Sequence, residues 1–152
     1  MALRRAVALA AEAGDDGEAL RLDIRWITFA QIQPSEALRR LEPYARRVQP
    51  GSFAGRLLDA SSAFYGAFGE RSAAETRERA RRAFVDGHLV AELQGDDWVL
   101  GTCAYALVAA DELELAEQVI QQVLELGRAR GSAIAVASGS YLSASLARHG
   151  DG

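Results

Sequence analysis

The chain has 152 residues, 49% hydrophobic and 25% charged, a composition that supports a folded domain with its own core and excludes a disordered one. Its 17 basic residues are all Arg and its 21 acidic residues leave a formal charge of −4, so the concentrated positive surface that nucleic acid needs is not expected. Without Lys there is neither a P-loop lysine nor Schiff-base chemistry, and the single Cys103, with no second thiol or His at metal-ligand spacing, fits a reducing, cytoplasmic setting.

Ala, Leu, Arg and Glu dominate and Pro is confined to Pro34, Pro43 and Pro50, so helices are expected throughout. The first is predicted over 2–13. Its arginines and Ala-rich apolar run invite comparison with a signal peptide, but the run is about the minimum length for one and Glu12 follows at once. Helices at 17–32 and 35–48 follow, the first behind Asp15-Asp16, which read as N-capping residues, and the second behind the turn Gln33-Pro34-Ser35. After a helix at 53–68, Ser72-Ala-Ala-Glu75 has the spacing of a capping box and opens a helix predicted over 73–93. Asp96-Asp97 would cap a helix over 97–109. Asp111-Glu-Leu-Glu114 repeats the capping-box spacing before 112–129, where Leu115, Ala116, Val119, Ile120, Val123, Leu124 and Leu126 form one apolar stripe. The last helix is predicted over 133–148. About eight helices joined by short turns imply antiparallel hairpins, and charges interrupt every stretch that could approach a membrane span.

A period runs through these elements. Gly69-Glu70, Ala110-Asp111 and Gly150-Asp151 each put a small residue and an acid at the end of an apolar helix, 41 and 40 residues apart. Tyr65, Tyr105 and Ser145 step by 40, as do Gly66, Ala106 and Leu146. Such periods, with two helices each, mark α-solenoids, whose hairpins bury their apolar faces only by stacking. The expected fold is therefore all-α: hairpins stacked in one right-handed, tetratricopeptide-like superhelix over residues 1–152. Because the last small-acidic pair falls just before the final residue, the sequence reads as a segment cut at its C-terminal end. The helix at 133–148 should then show an uncovered apolar face, and self-association through this hairpin, involving Ile134 and Leu142, is expected.

The run from Tyr105 to Val119, followed by Leu126-Gly-Arg-Ala-Arg-Gly-Ser132 and Ser145-Leu-Ala-Arg-His-Gly-Asp151, resembles the helical repeat region of the large ATP-binding regulators of the LuxR family. The resemblance implies a superhelical module between an ATPase module and a helix-turn-helix. Neither of those maps onto this chain: Gly66-Ala-Phe-Gly69 has the wrong spacing for a Walker motif, and Gly127-Arg-Ala-Arg-Gly-Ser132 lacks the lysine. Arg77, Arg79, Arg81 and Arg82 interleave with Glu70, Glu75 and Glu78 and read as a solvated helix face. The implied role is non-catalytic: binding a protein or peptide partner or a small effector, with no cofactor, and relaying that event to other domains. The alternative is a stand-alone peptide-binding adaptor.

Other candidate chemistry is sparse. His88 and Glu92, four apart, lack a third metal ligand; His149 stands where a helix C-terminus favours a cation; Cys103 shares an apolar face with Leu100 and Leu107. Aromatics are the exception. The first helix of each expected hairpin carries Trp26, Phe29, Phe53, Phe64, Tyr65, Trp98, Tyr105 or Tyr141, and rings with a polar edge anchor partners. Tyr65 and Tyr105, one repeat apart, are the leading groove candidates, followed by Trp98 and Tyr141.

Overall fold

The structure is a computed structural model that describes residues 2–69, 71–93 and 95–150. The described residues form an all-α protein. Its helices are α1 (Ala2–Glu12), α2 (Asp16–Ala30), α3 (Pro34–Leu41), α4 (Phe53–Ala67), α5 (Ala73–Phe84), α6 (His88–Glu92), α7 (Asp97–Ala109), α8 (Leu113–Arg130) and α9 (Ala133–Gly150), with a 3-10 helix at Glu42–Arg46. None of these is long and apolar enough to cross a membrane.

Side-chain caps start four of them. Asp15 Oδ1 accepts from the Glu18 N–H (2.9 Å), Ser52 Oγ from Gly55 (3.1 Å), Ser72 Oγ from Glu75 (3.2 Å) and Ser132 Oγ from Ala135 (3.2 Å). Left-handed residues stop α1, α7 and α8: Gly14, Asp111 and Gly131 have φ of 77°, 60° and 65°. At each, the following N–H reaches back to the carbonyl five residues earlier, Asp15 to Ala10, Glu112 to Leu107 and Ser132 to Gly127, at 2.8–3.0 Å. These are Schellman turns, which satisfy the last carbonyls of a helix and reverse the chain tightly. Asp111 therefore terminates α7 and does not cap α8, contrary to its expected role; Glu112 occupies the N-cap position without a side-chain cap bond. Asp96 likewise stands at the N-cap of α7 without capping it.

Two expected helices are interrupted. The helix predicted over 73–93 breaks at Val85–Gly87, where Gly87 is left-handed (φ 70°) and Asp86 Oδ1 takes the His88 N–H at 3.0 Å. The helix predicted over 35–48 tightens into the 3-10 turn around Pro43, whose missing N–H cannot continue an α ladder. Of the expected small-acidic pairs, Glu70 and Asp151 lie outside the described residues.

Helices α2, α4, α7 and α9 touch one another in series, while α1, α3, α5 and α8 pack against them. Leu20, Ile24, Leu57, Phe84, Leu100, Leu107, Ile120 and Leu142 are all buried in the shared core. Helix α7, at the centre, buries residues nearly all round, from Val99 to Val108. Small residues let helices meet closely: a Cβ on Gly127 of α8 would sit 2.9 Å from the Ala135 Cβ of α9. Helix α9 buries Ala135, Gly139, Leu142 and Ser145 on one side, and leaves Ala133, Ile134, Ala137, Tyr141 and Ala144 exposed on the other.

Buried polar groups tie the helices together. Asp23 of α2 accepts from Arg40 Nε (2.6 Å) and Tyr44 OH (3.2 Å), fixing α3 and the 3-10 turn. Arg56 of α4, its side chain 9% exposed, pairs with Glu92 of α6 at 2.5 Å and Asp86 at 3.2 Å and donates to the Gly51 carbonyl. The arginines of α5 are all engaged, Arg79 and Arg82 with Asp59 of α4, and Arg77 and Arg81 with Glu112 at the start of α8.

Candidate functional site

Residues 60–69, 98–110 and 131–147 carry no Asp, Glu, Lys or Arg. They supply the C-terminal half of α4, nearly all of α7 and most of α9, which lie side by side. The surface they share is a cleft of about 580 Å³ walled by Phe64, Phe68, Trp98, Tyr105 and Tyr141, with Gly101, Thr102, Ala137, Ser138 and Leu142 completing it.

The rings are arranged around Tyr105. Its centroid is 6.1 Å from Phe68 in a nearly parallel stack (5°), 6.2 Å from Tyr141 at 28°, and 5.9 Å from Phe64 edge-on. Beyond the cleft wall, Trp98 of α7 meets the exposed Phe29 of α2 edge to face at 5.9 Å, so the aromatic surface reaches four helices. The helical spacing of Phe64 and Phe68, and of Trp98 and Tyr105, places each pair on one side of its helix. Gly101 permits close contact between α7 and α9, since a Cβ there would lie 3.1 Å from Ser138 Oγ. Thr102 spends its hydroxyl on the Trp98 carbonyl at 3.0 Å.

These rings are unusually open to solvent for their size. Trp98 is 51% exposed, Phe68 54% and Tyr141 59%, although each could have been buried at a gain of about 25 cal/mol per Å². Phe68, Trp98 and Tyr141 thus expose ring surface along one cleft.

Of the four residues expected from sequence, the structure brings Trp98, Tyr105 and Tyr141 together and sets Tyr65 apart. Tyr65 is 6% exposed, packs edge-on against Phe64 at 5.0 Å, and turns its hydroxyl to Thr28 Oγ1 of α2 at 3.5 Å. Burial pushes its phenol above the ordinary range. The wall position on α4 belongs to Phe64 and Phe68. Trp26, another expected groove aromatic, is packed with the Arg40 guanidinium 4.4 Å over its ring and Arg4 at 5.7 Å.

No match to the chain was found among protein families, curated proteins or solved structures. Glu92 is occupied by Arg56 and does not join His88, and His149 Nδ1 lies 3.0 Å from the Ser145 carbonyl in the last turn of α9. Asp96, 3% exposed, faces Arg21 and Arg25 of α2 at 3.4 and 3.8 Å, while Asp97 accepts from Ser132 Oγ at 2.5 Å. Cys103 is fully buried against Ser61 at 3.9 Å, and burial pushes its thiol up to about 12, which suppresses the nucleophilic thiolate.

Proposed function

We propose that the chain is a non-catalytic binding module that receives a protein partner or small effector in the α4–α7–α9 cleft. The exposed, charge-free aromatic wall is the observation that carries this reading. Rings, small residues and hydroxyls give a neutral partner contact area and orientation but supply no activated nucleophile or paired acid and base.

The wider setting we propose is the tetratricopeptide-like repeat segment of a LuxR-type transcriptional regulator, acting in the cytoplasm and relaying occupancy to ATPase and DNA-binding domains. Support for the repeat reading comes from α3, α5 and α8, which begin at residues 34, 73 and 113, one period apart, and from the serial contacts of α2, α4, α7 and α9. A right-handed solenoid would present one such set of helices along a continuous inner face.

The test is direct binding of an uncharged fluorescent apolar probe, N-phenyl-1-naphthylamine. Saturable enhancement in the micromolar range that drops at least about tenfold on Tyr141→Ala, an exposed position, supports the cleft as the site. Enhancement that does not saturate, or that ignores Tyr141→Ala, refutes it.

A further inference from the structure

Resting on that reading, we infer that the cleft takes an uncharged, proline-rich peptide segment in the polyproline II conformation. The cleft lining carries no charged side chain, so it has nothing to pair with a phosphate, a carboxylate or an ammonium group. It also lacks the Asn, Gln, Asp and Glu side chains with which a site satisfies the many hydroxyls of a sugar. What remains is ring surface together with the indole N–H of Trp98, the phenol O–H groups of Tyr105 and Tyr141 and the hydroxyl of Ser138.

That combination complements polyproline II. Such a segment has no internal hydrogen bonds, so its carbonyls are free acceptors, while each Pro has no N–H that would demand an acceptor from the wall. Pyrrolidine rings are apolar and already restricted in φ, so they pack against aromatic side chains with little ordering cost, the principle by which aromatic grooves recognise proline-rich segments. Length agrees too. Centroid steps of 6.1 and 6.2 Å make the row Phe68–Tyr105–Tyr141 at most about 12 Å long. At about 3.1 Å per residue this spans four residues of polyproline II. The cleft is open-sided, which suits a chain passing across it better than a small molecule that must bury most of its own surface.

The experiment titrates the 152-residue protein with an acetylated, amidated proline decamer and with a Gly-Ser decamer, by calorimetry and by displacement of N-phenyl-1-naphthylamine. The proline decamer should bind saturably and displace the probe, and the Gly-Ser decamer should do neither. Tyr141→Ala and Trp98→Ala should each weaken binding at least about tenfold with unchanged helical circular dichroism. Raising NaCl from low to half-molar should change the affinity less than about twofold, because no ion pair forms. A decamer of proline that binds no better than Gly-Ser, or that binds with a steep salt dependence, overturns the proposal. Probe binding without proline-decamer binding removes the peptide assignment and leaves the cleft reading intact; binding of neither removes both. Should a variant lose helicity, Ala137→Leu, which adds bulk to the cleft from an exposed position on α9, must also abolish displacement for the proposal to stand.

Discussion

Removing the Arg56 guanidinium tests the physical account of the α4–α6 clamp. This side chain is 9% exposed and forks onto Glu92, with Asp86 and the Gly51 carbonyl as further acceptors. Breaking a fully buried pair costs about 3–5 kcal/mol because the remaining charge is stranded. Here Glu92 and Asp86 are 32% and 39% exposed and recover part of their hydration, which lowers the figure to about 2–3 kcal/mol for Arg56→Met. For a protein of this size that is a fall of about 5–10 °C in Tm. Arg56→Lys keeps the charge but loses the bidentate fork and should fall between the two. The double variant Arg56→Met/Glu92→Met should regain more than half of the loss, since a well-packed apolar pair replaces a stranded carboxylate. Urea unfolding followed at 222 nm, with the m-value constant across the series, measures all four proteins. An Arg56→Met variant within about 0.5 kcal/mol of the parent, or a double variant less stable than the single one, would refute the reasoning.

Alkaline pH should destabilise the protein ahead of any arginine titration. Burial beside Asp23 pushes the Tyr44 phenol up to about 12, and burial pushes the Cys103 thiol to about 12 as well. Both groups are neutral in the fold and ionise near 10 and 9 when unfolded, so stability is level below pH 9 and lost as pH climbs from 9 to 12. Urea midpoints at pH 8, 10 and 11 should decline, less steeply in Tyr44→Phe and Cys103→Ala; a flat profile contradicts the assignment. The exposed side of α9 should drive weak self-association at high concentration, because Ile134 is 44% and Tyr141 59% exposed on a helix without charge from 133 to 147. Sedimentation velocity should show Ile134→Glu shifting the population toward monomer, and a strict monomer at every concentration would remove this expectation.

Helix positions were legible because capping residues and apolar stripes are local signals, and Asp15 and Ser72 do cap their helices. The break at Val85–Gly87 was not, since apolar residues continue on both sides and the clamp that holds it open comes from Arg56, some thirty residues away. Asp111 carried the spacing of a capping box, yet its backbone is left-handed, a conformation Asp tolerates and a capping residue does not use. In the site, the 40-residue step put Tyr65 and Tyr105 at one angular position. That period holds for the starts of α5 and α8, but α4 and α7 start at 53 and 97, 44 residues apart, so a constant step of 40 does not fix which residue of α4 faces the cleft. Neighbouring helical side chains point about 100° apart. Tyr65 turns to Thr28 of α2, and Phe64 and Phe68, four apart, take the wall.

The burial of Cys103 between α4 and α7 makes the folded protein behave toward thiol reagents as though it had no cysteine. A cysteine placed at an exposed position outside the cleft, such as Ala144, would then be the one site a maleimide dye or spin label reaches, with the native core left untouched. Pairs of such labels across α4 and α9 turn the separation of the two cleft walls into a ruler, readable in solution before and after a ligand arrives.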